Sequence, residues 1–457
     1  MRYALRLLVR HYLLFCLCCW GFVWSSTSVV ASSVQMTSRP YGAMSIIAHG
    51  QKGLRWRQTQ APTGADCQQT LGTNCYTPQQ LQQAYALTPL LHAGNNGSGQ
   101  TIVIVNSFGS PTIKQDLQQF DADYGLPDPP SFQILAPLGS VPFDANNADQ
   151  VSWAEETSLD VEWAHAMAPG ASIALLTSPV SETQGVQGMP QFLSLENYAI
   201  QHHLGQIISQ SWGTTENTLL TSTGYGVLTA FNGLYKMAAQ QQITVLAASG
   251  DSGAANVDVN GNLYSTPTVN FPASSPWVTA VGGTTLEAAN DGTYQSETTW
   301  NSGGGSTGGG ISQHFLLPDY QKHYLTPSAL NLLHGFRGVP DVASVADPAT
   351  GVPVYFSFLS EAYAGYWIFG GTSLSTPLWA GLVADANQAL GHPLGFLNTR
   401  LYQIESHPGK AGLAFHDIIH GNNSQSDIPG YNAEIGWDPV TGLGSPIASA
   451  LLKAWRS

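Results

Sequence analysis

Four short apolar runs constrain this chain more than any other feature: Thr101–Val105 (TIVIV), Ala171–Thr177 (ASIALLT), Gln206–Ser209 (QIIS) and Ile243–Ala248 (ITVLAA). Each is too short for an ordinary helix, and its apolar residues are consecutive rather than alternating. Strands of this kind are covered on both faces, as in a parallel sheet between two helical layers. Helical candidates lie between them, at Ile113–Tyr124, Glu155–Ala168, Pro190–Gln201 and Val227–Gln241. The alternation predicts a doubly wound, mostly parallel α/β sheet with helices on both faces. The stretch NSGGGSTGGG (301–310) is expected to be a flexible loop inside this domain, because patterned sequence resumes on either side of it.

The N-terminus has a different character. Arg2, Arg6 and Arg10 precede an apolar segment, Tyr12–Trp24, and small residues surround Val29-Val30-Ala31. The apolar segment is short for a bilayer span. Residues 1–31 therefore read as a signal peptide and the protein as secreted, an uncleaved anchor being the alternative. Residues 32–75 are polar and aperiodic and read as a short leader or pro-segment, with the main domain running over 76–457. Thr77-Pro78 opens its first helix as cap and first helical residue. Three of the five cysteines fall within 1–31. Cys67 and Cys75 remain, and in an exported chain they are expected to pair.

Charge is scarce: 10% of residues are Asp, Glu, Lys or Arg, against about 25% in a typical domain. The net charge of −14 leaves no basic footprint, so nucleic acid is not an expected partner. Few ion pairs also means few to lose when carboxylates protonate, which predicts an acid-tolerant fold.

Four stretches could carry chemistry, and each has a plainer reading. In WAEETSLDVEWAHAMAPGA (153–171), Glu156 and Asp160 stand four apart and share a helix face. Two close carboxylates cannot both ionise cheaply, so the pair can hold one proton and act as a general base. The alternative is a solvated acidic helix start, with Glu155 and Glu162 as further members. In ITVLAASGDSGA (243–254), a buried strand runs into a glycine-flanked Asp251, where α/β sheets bind ligands. Asp251 could bind a cation, serve a turn or, protonated, donate a hydrogen bond. In GGTSLSTPLWAG (370–381), Ser373 is either a nucleophile held on a tight turn or an ordinary helix cap. No histidine sits in a His-Gly-Thr turn, and His165 lies off the Glu156/Asp160 face, so a base for Ser373 is sought in the carboxylate pair. In FHDIIHGNN (415–423) and NAEIGWDPVTGLGSP (432–446), Asp417 and Asp438 are oxygen donors in loops, either for calcium or for turns.

In this order, the four stretches resemble the sedolisin family of serine-carboxyl peptidases. YTPQQLQQAY, SQSWG (209–213), FPASSPWVTAVGGT (271–284) and RGVPDVASVADP (337–348) are similar to that family too. The resemblance covers Tyr76 to the C-terminus. It implies a subtilisin-like fold with Ser373 as nucleophile, Glu156 as general base, Asp160 as its orienting partner and Asp251 as a protonated oxyanion donor. It also implies one structural calcium ion, held by the carboxylates of Asp417 and Asp438 and the carbonyls of Ile418, Glu434 and Gly436. Residues 209–213 would wall the substrate cleft. Two positions depart from the family: Asn106 stands where some relatives carry an acid behind the catalytic glutamate, and Glu434 where many have glycine. The stretch 32–75 stands where the family carries a large pro-domain.

The expected function is a secreted, monomeric, acid-acting serine-carboxyl endopeptidase cleaving protein or peptide substrates, with no stable membrane association after signal removal. A tripeptidyl-peptidase of the same family and a catalytically retired binding protein on this scaffold are the alternatives. A Ser-His-Asp hydrolase would need a role for His165, and a glycosidase would leave Ser373 and Asp251 without one.

Overall fold

The computed structural model of the chain describes residues 52–56, 60–360, 363–405 and 414–456. The signal segment 1–31 and the first part of the 32–75 leader lie outside the described residues. The four apolar runs become the strands Thr101–Ser107, Ser172–Ser178, Ile207–Gln210 and Thr244–Ala248. With four further strands they form an eight-stranded sheet. Its order is Tyr294–Thr299, Thr279–Ala288, Thr244–Ala248, Ile207–Gln210, Thr101–Ser107, Ser172–Ser178, Phe132–Leu135, with Val342–Val345 also paired to Thr279–Ala288. All pairings are parallel except that of the edge strand Tyr294–Thr299.

The pleat explains why these strands are apolar throughout. Ile102 and Ile104 point into one core, shared with Leu159, Trp163, Leu374 and Leu378. Val103 and Val105 point into the other, with Phe192, Ile200, Phe231 and Tyr235. Each such side chain, fully buried, contributes about 1.5–3 kcal/mol. Ala148–Met167 (the carboxylate helix) and Thr372–Leu390 (the serine helix) thus cover one face, and Met189–Gln201 and Ser222–Gln240 the other.

Helix Ile113–Tyr124 has its expected bounds. The carboxylate helix starts earlier than Glu155, at Ala148. Asn147 caps it, its side chain accepting from the N–H groups of Asp149 and Gln150. That first turn is polar and carries no apolar period, so the pattern alone misses it.

Part of the stretch read as a leader belongs to the folded unit. Lys52–Arg55 pairs antiparallel with Gly365–Phe369, the strand that leads into the serine helix. Gly64–Leu71 is a helix, and the expected Cys67–Cys75 disulfide is formed. The glycine-rich stretch 301–310 is not a free loop. Asn301–Ser302 and Gly305–Ser306 make a two-strand hairpin, and its backbone clasps the Asp251 turn. Ser306 N–H donates to Asp251 O (3.0 Å), Gly308 N–H to Gly250 O (2.6 Å) and Ser249 Oγ to Gly308 O (2.7 Å). A Cβ at residue 308 would collide with the Ser249 carbonyl, so glycine here permits close backbone approach rather than motion.

Candidate active site

In the sheet order, strand Thr101–Ser107 lies between Ser172–Ser178 and Ile207–Gln210, so the chain crosses over it in passing from one to the other. The carboxyl ends of strands at such a crossing are where α/β sheets build sites. Asn106 sits at the end of Thr101–Ser107, Ser211 just beyond Ile207–Gln210, and Asp251 just beyond Thr244–Ala248.

The carboxylate helix comes to this edge buried. Glu155, Glu156, Asp160 and Glu162 are all inside the protein, which disposes of the solvated-face reading. They do not all face one place. Glu162 Oε2 accepts the N–H of Tyr355 (3.0 Å), on a strand of a different sheet. Asp160 faces the edge of the main sheet: Oδ2 accepts from Asn106 Nδ2 (3.0 Å) and Oδ1 from Ser211 Oγ (2.6 Å). Burial pushes its carboxyl up to about 7, against the pull of those two donors, which favour the ionised form. Glu156 lies one turn earlier on the same face, 1% exposed. His165 takes no part. Its Nε2 meets Pro127 O (2.8 Å) and Asp121 Oδ1 (3.3 Å).

The serine helix supplies the opposite wall. Gly371 stands before it at φ +97°, a backbone conformation that favours glycine, and its N–H bonds to Ala346 O. Ser375 Oγ, 2.9 Å from Ser344 O and 3.0 Å from Val345 O, ties the first turn to strand Val342–Val345. Pro377 sits inside the helix and lacks the N–H that would bond the carbonyl four residues back, that of Ser373. Ser211 Oγ lies 3.2 Å from that carbonyl oxygen. One hydroxyl thus touches both the Asp160 carboxyl and the backbone of Ser373. Ser373 Oγ itself is fully buried and has no hydrogen-bond partner among the described residues.

Asp251 is held by the residue next to Ser373. Its Oδ1 accepts from the N–H and the Oγ1 of Thr372, both at 2.8 Å, while its Oδ2 is buried without a partner among the described residues. Burial pushes Asp251 up to about 6, with the two Thr372 bonds working downward. An acid that holds its proton near pH 6 can donate a hydrogen bond, and an unoccupied hydroxyl beside it can attack. The set suits acyl transfer below neutrality.

Three of the four stretches therefore meet, Asp160, Ser373 and Asp251 being linked through Ser211 and Thr372. The sequence reading gives Ser211 only a place in the cleft wall and Thr372 no role in holding Asp251. The signal that could have found Ser211 is Pro377, which leaves a buried carbonyl in need of a donor. The fourth stretch forms a separate loop site. Asp417 Oδ2 accepts from Gly436 N–H (2.9 Å), and Asp438 Oδ2 from Glu434 N–H (3.0 Å). Asp438 Oδ1 also takes the N–H groups of Val440 and Thr441, both at 2.8 Å. Burial pushes Asp438 up to about 7 and raises Asp417. Among the described residues no cluster of three His, Cys, Asp or Glu could hold a metal, so any ion here must draw on backbone carbonyls.

Residues 144–400 match the family model described as the Subtilase family. Kumamolisin of Bacillus sp. (strain MN-32) is 39% identical over 394 residues, which is 84% of this chain and 64% of that protein. Sedolisin of Pseudomonas sp. (strain 101) is 33% identical over 76% of this chain and 56% of its own length. Tripeptidyl-peptidase 1 of Homo sapiens is 31% identical over 82% of this chain and 64% of its own. The chain thus spans less than two thirds of the length of these curated relatives. Among solved structures, Pseudomonas sedolisin, a serine-carboxyl proteinase complexed with two molecules of pseudo-iodotyrostatin, superposes with TM-score 0.70 at 30% identity, covering 84% of this chain and 98% of that one.

Proposed function

The chain belongs to the sedolisin family of subtilisin-like serine-carboxyl peptidases, and from that premise we propose that it hydrolyses peptide bonds of protein or peptide substrates under acid conditions. The observation that carries the reading is the placement of Ser373 between two buried carboxyl groups, joined to one by Ser211 and to the other by Thr372. Glu156 takes the proton of Ser373 Oγ as that oxygen attacks the scissile carbonyl. Asp160, held by Ser211 and Asn106, orients Glu156 and shares its proton. Asp251 and the Ser373 N–H donate to the oxyanion, and water then releases the acyl-enzyme. The sign of the pH dependence follows. Asp251 must be protonated to donate, so activity falls as pH rises through about 6.

One calcium ion fits the C-terminal loops. Asp417 and Asp438 address one segment, 434–438, neither forms an ion pair with a described cation, and burial disfavours their charge, which a bound cation would compensate. Asp417, Asp438 and the carbonyls of Ile418, Glu434 and Gly436 would hold it, and its contribution would be to stability. No helix among the described residues is long and apolar enough to cross a membrane. Secretion as a monomer completes the proposal.

Cleavage of casein at acid pH by wild type, and its loss in Ser373→Ala, tests the activity. Identifying the released peptides separates internal cleavage from removal of tripeptides. Activity retained by Ser373→Ala, or none in the wild type, would overturn the reading.

A further inference from the structure

The two oxygens of Asp251 are in unlike surroundings. Oδ1 receives both the N–H and the hydroxyl of Thr372, each at 2.8 Å. That hydroxyl accepts from Gly250 N–H (3.0 Å), and Asp251 Oδ1 is the described acceptor for its one proton. Oδ2 receives nothing from any described residue. We propose that Thr372 is a positioning residue that reserves Oδ1 as an acceptor and so confines the acid proton of Asp251 to Oδ2, the oxygen left free to donate to the reaction's oxyanion.

The inference rests on the peptidase reading above and deepens it. An aspartic acid in ordinary surroundings can carry its proton on either oxygen. Here a proton on Oδ1 would point at the fixed Thr372 N–H and displace the Thr372 hydroxyl proton from its acceptor, leaving the N–H unsatisfied inside the protein, which is costly. The acid form is therefore set in one geometry before substrate arrives, and no reorganisation is needed when the charge develops. Because Thr372 immediately precedes Ser373, the turn that presents the nucleophile also sets the donor. No other ionisable group competes from the segments that bond this turn. Residues 249–253, the clasp 303–310 and the helix start 370–376 contain no titratable side chain except Asp251 itself. The other acids of the site, Glu156 and Asp160, belong to the carboxylate helix. Burial raises the Asp251 acid constant, and the Thr372 bonds lower it.

The test is the pH profile of kcat and KM on a peptide substrate for wild type, Thr372→Ser and Thr372→Val, with Asp251→Asn and Ser373→Ala as references. Thr372→Ser keeps the hydroxyl and is expected to keep the wild-type alkaline limb. Thr372→Val removes a donor that favours the carboxylate, so the alkaline limb of kcat should move up by about one pH unit. Its kcat should also fall about ten-fold with KM little changed, because the proton can then settle on Oδ1. In Asp251→Asn, whose amide donates at every pH, that limb should no longer follow residue 251. An unmoved alkaline limb in Thr372→Val, or the full shift in Thr372→Ser, overturns the role of Thr372 and leaves the peptidase reading intact. Activity in Ser373→Ala would instead remove the reading on which it rests. Should Thr372→Val not fold, infrared difference spectra between Ser373→Ala and Ser373→Ala/Asp251→Asn decide. The Asp251 carbonyl band should lie low, as for an oxygen accepting two hydrogen bonds, and a band typical of an unbonded carbonyl overturns the proposal.

Discussion

Asp251 and Asp438 are both buried aspartates in loops, and burial pushes them up to about 6 and about 7. They differ in how their oxygens are used. Both oxygens of Asp438 are occupied by donors of its own loop, from Glu434 to Thr441. Asp251 has one oxygen doubly bonded to Thr372 and the other without a described partner, and nearby Ser373 Oγ is unoccupied too. A carboxyl whose two oxygens both take donors of its own loop holds that loop's shape, with or without an ion. One with half its capacity left open inside the protein is kept for something that arrives later. A displaced acid constant alone would not tell the two apart.

Substitution should separate the two regions by what is lost. Ser373→Ala is expected to reduce kcat/KM by about four orders of magnitude or more without changing the melting temperature appreciably, measured with a peptide substrate and by calorimetry. Asp251→Ala should cost about 10²–10³-fold in kcat as an oxyanion donor is removed. Ser211→Ala removes the hydroxyl that lies against both the Ser373 carbonyl and Asp160. A fall in kcat of about ten-fold is expected, since a hydrogen bond that positions Asp160 is lost. Asp438→Ala should do the reverse. It should lower stability by about 2–3 kcal/mol through its turn bonds, with kcat of the remaining folded protein near wild type. If Asp438→Ala removed activity from a fully folded protein, the contrast between the regions would fail. Chelation should lower the melting temperature of wild type and leave that of Asp417→Ala unchanged, if the loops hold calcium.

The smallest effect is collective. Asp160, Asp251 and Glu297 all have folded acid constants above those of an unfolded chain, at about 7, 6 and 7. Such groups bind protons more tightly when folded, so their contribution is complete below about pH 4 and is lost as pH rises towards 7. His416, buried against Tyr294 and lowered to about 4, works in the opposite sense. The melting temperature should therefore decline by several degrees between pH 4 and 7. A rise over that interval would show that these carboxyls are compensated in a way the structure does not contain.

Much of the architecture is legible in residue order. Continuous apolar runs at 101–105, 171–177, 206–209 and 243–248 can hardly be anything but strands covered twice, and they are. The helix starts at Ala148 and Ser222 escape the pattern because caps and first turns are polar. The glycine-rich 301–310 misleads because glycine marks both mobile loops and backbones that must come close. Only the Ser249 and Gly250 carbonyls facing Gly308 distinguish the second case.

Periodicity and spacing are properties of neighbouring residues. The chain's order therefore suffices to set a parallel sheet, to put Glu156 and Asp160 on one helix face and to place Ser373 on a turn that opens a helix. Which polar atoms are satisfied and which stay open is a property of segments 51, 121 and 162 residues apart, as between Ser211 and Asp160, Asp251 and Thr372, and Ser211 and Ser373. Hydrogen bonds act over about 3 Å, so only the folded chain could decide that Thr372 would occupy one oxygen of Asp251 and leave the other open.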